Sequence, residues 1–361
     1  MNACSSGNWT AGGFSLVEMM VAMVIGLITV AAVTQSYLSS ERQRRILTAD
    51  SDTISGGTVA LYMIEREART AGFGMPLPAA LGCTVNASYG GSLTDPGTFT
   101  FAPVVIDQDY TTASNGVGLD RLSILYGTYG GMSLPVYLNG PFANAPGAFS
   151  ELNLSVSYFF ESNHLAILYE PGKTCTLLQV TFRPPAGNLV ERGVSPWNQS
   201  NAIFPVGGYK AQSATIFNMG SLGLKRFFVN PADSTLRVTE VGEGIAGGSS
   251  ATKIVASGVV GFKSKYGYDQ GGGVVTWSAT APANTAAWMQ IVAVRMALVI
   301  RSQFANKPAQ AGGGCTTTVT NPAWSDGEAL SISDPLPSCY RYQVYETDVP
   351  LRNRMWGFPS T

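Results

Sequence analysis

FSLVEMMVAMVIGLITVAAV, Phe14 to Val33, is the stretch whose reading decides the fold. About twenty apolar residues are enough for a helix to cross a hydrocarbon core. A cleaved secretory signal has a shorter core, a basic start and small residues after the core; here Gly12 and Gly13 come before it. Cys4 is not a lipoprotein cysteine, since no apolar stretch precedes it. One residue breaks the run, Glu18. A carboxylate within a membrane span costs about 2.5 kcal/mol or more, so it requires a cation at similar depth. The first basic residue of the chain is Arg42. An amino terminus created at Phe14 would supply the cation, on this chain or on a neighbour packed beside it.

The helical pattern continues past the span. Leu47, Ile54, Leu61 and Ala68 recur every seventh residue, with Ile64 on the same face, the stripe a helix lays against a sheet. Glu41–Arg45 and Glu65–Arg69 are i,i+4 pairs in the favourable orientation. A helix from Phe14 to Ala71 would be about 85 Å long at the usual rise. Gly72, Gly74 and Pro76 predict its end, and Gly56-Gly57 predicts a kink within it.

After Cys83 the pattern is mostly that of strands, rich in β-branched and aromatic residues. The candidates are 99–106, 121–126, 152–160, 165–169, 176–183, 226–229, 235–241, 259–268, 288–301 and 340–347. Pro231-Ala232-Asp233-Ser234 reads as a hairpin turn, 251–257 as a short helix, and 94–97, 140–147 and 270–273 as surface loops. The whole is an α+β chain: a long N-terminal helix, half membrane-spanning and half amphipathic, packed on a large antiparallel-β body. Composition agrees, with charged residues only 12%, 41 Gly and 20 Pro among 361 residues, against about a quarter charged in ordinary domains. The formal net charge of -1 gives no global attraction for nucleic acid.

Five cysteines fall unevenly about the span: Cys4 before it, Cys83, Cys175, Cys315 and Cys339 after it. An even set on the exported side suggests disulfides. Three connectivities are open, and four free thiols remain an alternative. Short closure favours Cys83–Cys175 and Cys315–Cys339. No C-x-x-C pair points to a metal.

Gly13-Phe14-Ser15-Leu16-Val17-Glu18 resembles the type IV prepilin cleavage motif. The resemblance implies that a membrane peptidase cuts after Gly13 and methylates Phe14. It also implies that Glu18, fifth residue of the mature chain, sets register by pairing with another subunit's amino terminus. Two features depart from the pattern. Met1–Gly13 carries no Lys or Arg, and Arg42, Arg44 and Arg45 follow the span on the side assigned as external, where the positive-inside rule alone favours the reverse orientation. Further along, Asn115–Tyr126 (NGVGLDRLSILY), Val259–Asp269 (VVGFKSKYGYD) and Tyr340–Trp356 (YRYQVYETDVPLRNRMW) resemble the PilW family of minor pilins.

That resemblance implies a prepilin leader at 1–13, a transmembrane and filament-core helix at 14–33, an amphipathic continuation at 34–75 and an exported pilin-like body at 76–361. The implied protein is a non-enzymatic minor pilin that primes assembly near the filament tip. It starts as a single-pass inner-membrane protein with a periplasmic body and passes into the pilus. The implied partners are other minor and major pilins, the prepilin peptidase, the inner-membrane assembly platform and a tip adhesin. A pseudopilin of type II secretion is the alternative with the same chemistry; a membrane-anchored enzyme or binding protein is the alternative from another class.

Other chemistry is thin. His164 is the lone histidine, and no G-x-S-x-G elbow is present. Asp107, Asp109, Asn115 and Asp120 gather oxygen ligands of the kind calcium takes, but not at EF-hand spacing, so turn formation is the leading reading. No other cofactor is expected. Arg42, Arg44, Arg45, Arg66 and Arg69 lack the aromatic interleaving of a nucleic-acid surface and read as a solvated helix face.

Overall fold

The computed structural model describes residues 13, 15–76, 78–90, 97–112, 116–129, 134–142, 150–242, 251–305, 314–315, 318, 320–334 and 337–355. The chain divides into two compact units, Met1–Asp52 and Thr53–Thr361. A single helix, α1 (Leu16–Ala68), begins in the first and ends in the second. No proline interrupts it, and leucine, methionine, alanine, glutamate and arginine, all good helix formers, supply much of it. In the first unit, Leu16–Glu41 has a mean hydropathy of 2.5 and none of it is buried by the protein itself. Its two threonine hydroxyls bond within the helix: Thr29 donates to the carbonyls of Ile25 and Gly26, and Thr34 to that of Val30.

In the second unit the chain continues through β1 (Thr84–Asn86), β2 (Thr98–Thr100), β3 (Val104–Thr112), β4 (Gly118–Gly127), β5 (Val136–Tyr137) and β6 (Ser150–Asn153). It goes on through β7 (Leu165–Tyr169), β8 (Cys175–Gln179), β9 (Leu189–Arg192), β10 (Thr215–Gly220), β11 (Leu222–Asn230), β12 (Thr235–Gly242) and β13 (Ala251–Ser257). The last elements are β14 (Val259–Asp269), β15 (Val275–Ser278), α2 (Thr285–Met289), β16 (Ile291–Arg301), β17 (Tyr342–Pro350) and α3 (Arg352–Met355). The sheets run β2-β1-β8-β7-β10-β5, β13-β12-β11-β4-β3, β15-β14-β16-β17 and β6-β9. Every named strand pair is antiparallel except β1 with β8.

The main core joins the end of α1 to three of these sheets. Among the described residues, Ala60, Ile64, Ala68 and Ala71 are the buried apolar positions of that helix and its exit. They share a cluster with Leu122 and Ile124 of β4, Phe227 of β11, Phe262 of β14, and Leu298 and Ile300 of β16. The six-stranded sheet has a second covered face. Leu165, Ile167, Leu177 and Phe217 point to the main core, while Ala166, Leu168, Leu178 and Ile216 point to another with Phe160, Phe204 and Tyr209. Burial on both faces makes these strands continuous apolar runs. A third small cluster lies outside the β14–β16 pair, where Trp324, Leu330 and Ile332 cover Val260, Ala297 and Val299.

Small residues let the helix come close. A Cβ built at Gly57 would overlap the Tyr345 ring and lie 2.8 Å from Ile300 Cδ1, whereas one at Gly56 would meet nothing. Gly57 is therefore an approach point in a helix that runs through both glycines. The buried stripe also differs from the sevenfold one. Ile64 and Ala68 are on it, Leu61 is only half-buried, and the side chains of Leu47 and Ile54 lie outside the described residues. Glu67 adds a charged tie, meeting Lys225 of β11 at 2.8 Å. Burial pushes the Glu67 carboxyl up, but the bonds from Lys225 and Arg66 more than offset this and hold it below the usual range. Its contribution is present above the ordinary carboxylate pKa and is lost as pH falls through the depressed one.

Several strand expectations need correction. Residues 251–257 form β13 and not a helix, because pairing with β12 offers an edge to a segment rich in β-branched residues. The 99–106 run is two strands separated at Phe101-Ala102-Pro103. The 152–160 run leaves the ladder after Asn153, apart from a bridge at Leu154, and turns at Tyr158-Phe159. The 176–183 strand stops at Gln179, and α2 takes up Trp288 before β16 begins. Strands β1, β5, β9, β10 and β15 had no counterpart in the sequence reading. Of the expected loops, 270–273 is one, while 94–96 and 143–147 fall outside the described residues.

Replacing Gly57 by valine should destabilise the body by about 1–3 kcal/mol through overpacking against Tyr345 and Ile300. Gly56→Ala, in open space, should stabilise it by up to about 1 kcal/mol. Urea midpoints of the two variants in detergent would show opposite displacements; equal ones would contradict the close approach.

Candidate assembly site

The N-terminal residues form a site by what they lack. Helix α1 begins at Leu16, with Met19 N–H donating to the Ser15 carbonyl at 3.1 Å. Glu18 stands in the first turn, where a negative charge suits the helix dipole. Its side chain is exposed. The first basic residue in sequence, Arg42, is 24 positions further on, about 36 Å along a helix. A charge partner at the depth of Glu18 must therefore come from an amino terminus or from another molecule. Gly13 is exposed, while Phe14 and residues 1–12 lie outside the described residues.

Around Glu18 the surface is apolar. Twelve large apolar side chains from Leu16 to Val33 are each at least 51% exposed. Fully burying such a side chain is worth about 1.5–3 kcal/mol. At 51–76% exposure the set leaves on the order of 10–20 kcal/mol of burial unrealised. This helix needs lipid, other helices, or both.

The remaining candidate residues are structural in placement. Cys83 is bonded to Cys175 and Cys315 to Cys339, with Cα atoms 6.0 and 4.8 Å apart. The first bond sits beside the parallel β1–β8 pair and spans 92 positions. The loop-entropy account assigns a closure of that length about 4.5 kcal/mol, and the 24-position closure about 3.5 kcal/mol. His164 sits just before β7, with Nδ1 3.0 Å from Asn218 Nδ2, and its ring meets Tyr129 edge-on. Arg66 and Arg69 are paired with Glu67 and Glu65.

The acidic set does not converge on a cavity. Asp107 pairs with Arg121 at 2.8 Å. Asp109 and Asp120 both meet Lys263 Nζ at 2.8 Å, and buried Asp120 also accepts from the Ser264 N–H at 3.0 Å. Asn115 lies outside the described residues. The position between Asp109 and Asp120 is held by an ammonium, and a metal ion there would have to displace it. Among the described residues no group of three or more His, Cys, Asp or Glu could hold a metal. Lys263 escaped the sequence reading because 143 positions separate it from Asp120 and nothing local marks the pair. Burial alone would lower the Lys263 pKa, but its bonds to Asp109 and Asp120 raise it above the ordinary value.

Residues 226–353 match the family model described as Type IV Pilus-assembly protein W. Residues 10–34 match the Prokaryotic N-terminal methylation motif. These two spans contain Val259–Asp269, the Tyr340–Asn353 part of the C-terminal stretch, and the Gly13–Glu18 motif; Asn115–Tyr126 lies outside them. The chain is thus similar to that family over residues 226–353 and to that motif over residues 10–34. Among solved structures it is similar to the type IV-like pilin TTHA1219 from Thermus thermophilus, at 13% identity over 83% of this chain and 96% of that one, with a TM-score of 0.34. No curated protein is similar enough in sequence to count as a relative.

The Asp120–Lys263 contact joins β4 to β14 and yields a graded expectation. Asp120→Ala leaves a half-buried ammonium and two backbone N–H groups short of an acceptor, and should cost about 3 kcal/mol. Asp109→Asn, at an exposed carboxylate, should cost less than about 1 kcal/mol. Chemical denaturation of both variants gives the comparison, and equal losses would rule out Asp120 as the buried tie.

Proposed function

We propose that this chain is a minor pilin of a type IV pilus, made as a prepilin and held in the inner membrane by Leu16–Glu41 until it enters a filament. The observation that carries the reading is one exposed apolar helix with a single carboxylate at its start and no cation of its own at that depth. Cleavage after Gly13 would create a charged amine at Phe14 four residues from Glu18. Methylation would keep that amine basic while adding apolar surface. In a row of such helices the carboxylate of one subunit pairs with the amine of the next, and a slip by one helical turn would leave both charges in hydrocarbon. Apolar packing supplies the affinity, and Glu18 supplies the register.

The body is carried to the oxidising side, where its cysteine pairs can form and persist. It contacts other minor pilins and the major pilin, takes part in priming assembly, and sits near the tip, where a tip adhesin would be its neighbour. The prepilin peptidase and the inner-membrane assembly platform act on it before incorporation. The family match over residues 226–353 supports the pilus over a type II secretion pseudopilin.

Glu18→Ala should leave processing and membrane insertion intact and reduce recovery of the chain in sheared filaments by at least tenfold, because a buried unpaired amine costs more than about 1.4 kcal/mol. Immunoblots of filament and membrane fractions give the readout. Recovery equal to wild type would remove Glu18 from assembly. Recovery with type II secretion components instead of pilins would transfer the chain to that machine.

A further inference from the structure

The far end of the chain holds the end of α1. Asn353 in α3 donates from its side-chain nitrogen to the carbonyls of Thr70, at 3.2 Å, and Ala71, at 3.1 Å. Both carbonyls lie in the turn just past Ala68, where the helix ladder has ended, and that of Thr70 also accepts from the Phe73 N–H at 3.1 Å. One carboxamide nitrogen carries two hydrogens, enough for both.

The residues before Asn353 bring it there. Val349 and Leu351 are at most 1% exposed, and the Leu351 N–H donates to the Val292 carbonyl at 2.8 Å. These contacts seat the segment beside β16, where a Cβ on Gly72 would lie 3.7 Å from that of Asn353. Gly72 has φ of +79°, a conformation that glycine adopts without strain and that turns the chain out of the helix. A second hold comes from β4: Gly72 N–H donates to the Leu125 carbonyl at 2.9 Å and Gly127 N–H to the Phe73 carbonyl at 2.7 Å. The β4 hold is built of backbone close in sequence to the helix. The Asn353 hold spans 283 positions and forms only when β17, the last strand, is in place.

We propose that Leu351–Asn353 is a completion latch: Asn353 fixes the end of α1 only in a fully folded body, so that an incomplete body presents a loosely held helix and is excluded from the filament. This rests on the reading of the chain as a filament subunit. Asn353 is a positioning residue, acting through α1 and not on a partner. In a body exported in the order of its sequence, the end of α1 crosses long before Asn353. The latch therefore reports that everything between them has followed.

The test uses the full chain in detergent micelles, as wild type, Asn353→Ala, and Arg352→Ala as a neighbouring exposed control. Asn353→Ala should speed hydrogen exchange in peptides covering residues 68–75 by roughly tenfold, with β14 and β16 unchanged. Arg352→Ala should match wild type. In cells Asn353→Ala should accumulate in the membrane normally and be depleted from sheared filaments. Unchanged exchange at residues 68–75 overturns the latch, as does uniformly faster exchange across the body. Local loosening with wild-type filament recovery overturns its role in assembly. If the wild-type chain itself is missing from filaments, the subunit reading falls and the assembly role of the latch with it. Failure of the latch alone instead leaves wild-type incorporation intact.

Discussion

Apolar surface on an unshared helix is the constraint from which the rest follows. From Leu16 to Glu41 the chain makes a helix that none of the described residues covers, and water is a poor environment for it. A bilayer can cover the side chains but not Glu18, whose charge needs an amine or another protein group. A bundle of like helices covers both. The same segment therefore suits two successive environments, membrane and filament, and the carboxylate distinguishes them by being satisfied best where amino termini are close by.

The body is organised to hold the other end of that helix. Gly57 lets the backbone approach Tyr345 and Ile300, alanines at 60, 68 and 71 keep the contact close, and Glu67 adds an ion pair to β11. The exit at Gly72 is held by β4 and by Asn353. The strands meeting around this helix come from sheets whose own ties are buried polar groups, Asp120 to Lys263 and the Ile106 N–H to the Tyr266 hydroxyl at 2.6 Å. Burial holds that hydroxyl far above its ordinary pKa, which keeps it neutral.

Local features were legible in the sequence, and long-range ones were not. The apolar run, the break at Glu18 and the glycines ending α1 are decided by neighbours within a few residues. So is the 231–234 turn between β11 and β12. The 165–169 strand was read with its true limits, since both its faces are buried and its five residues are uniformly apolar or aromatic. Helix propensity counts Gly57 as a cost, whereas a sheet brought from residues 291–350 makes it a necessity. Residues 251–257 form a strand because Thr252, Ile254 and Val255 favour one once β12 lies beside them, a pairing that seven residues alone do not reveal. Lys263 and Asn353 act on groups 143 and 283 positions away, distances over which spacing carries no signal. Of the candidate site, Glu18 and its apolar surroundings could be read from the sequence, while the devices that fix the helix to the body could not.

The central claim is that Phe14 becomes the amino terminus facing a carboxylate at Glu18. Intact-mass and N-terminal peptide mass spectrometry on membrane-extracted protein, from cells with and without prepilin peptidase, tests it most directly. The account predicts a mature chain that begins at methylated Phe14 only when the peptidase is present. A chain that keeps its residues before Phe14 in both strains, or is cut at another position, would contradict it.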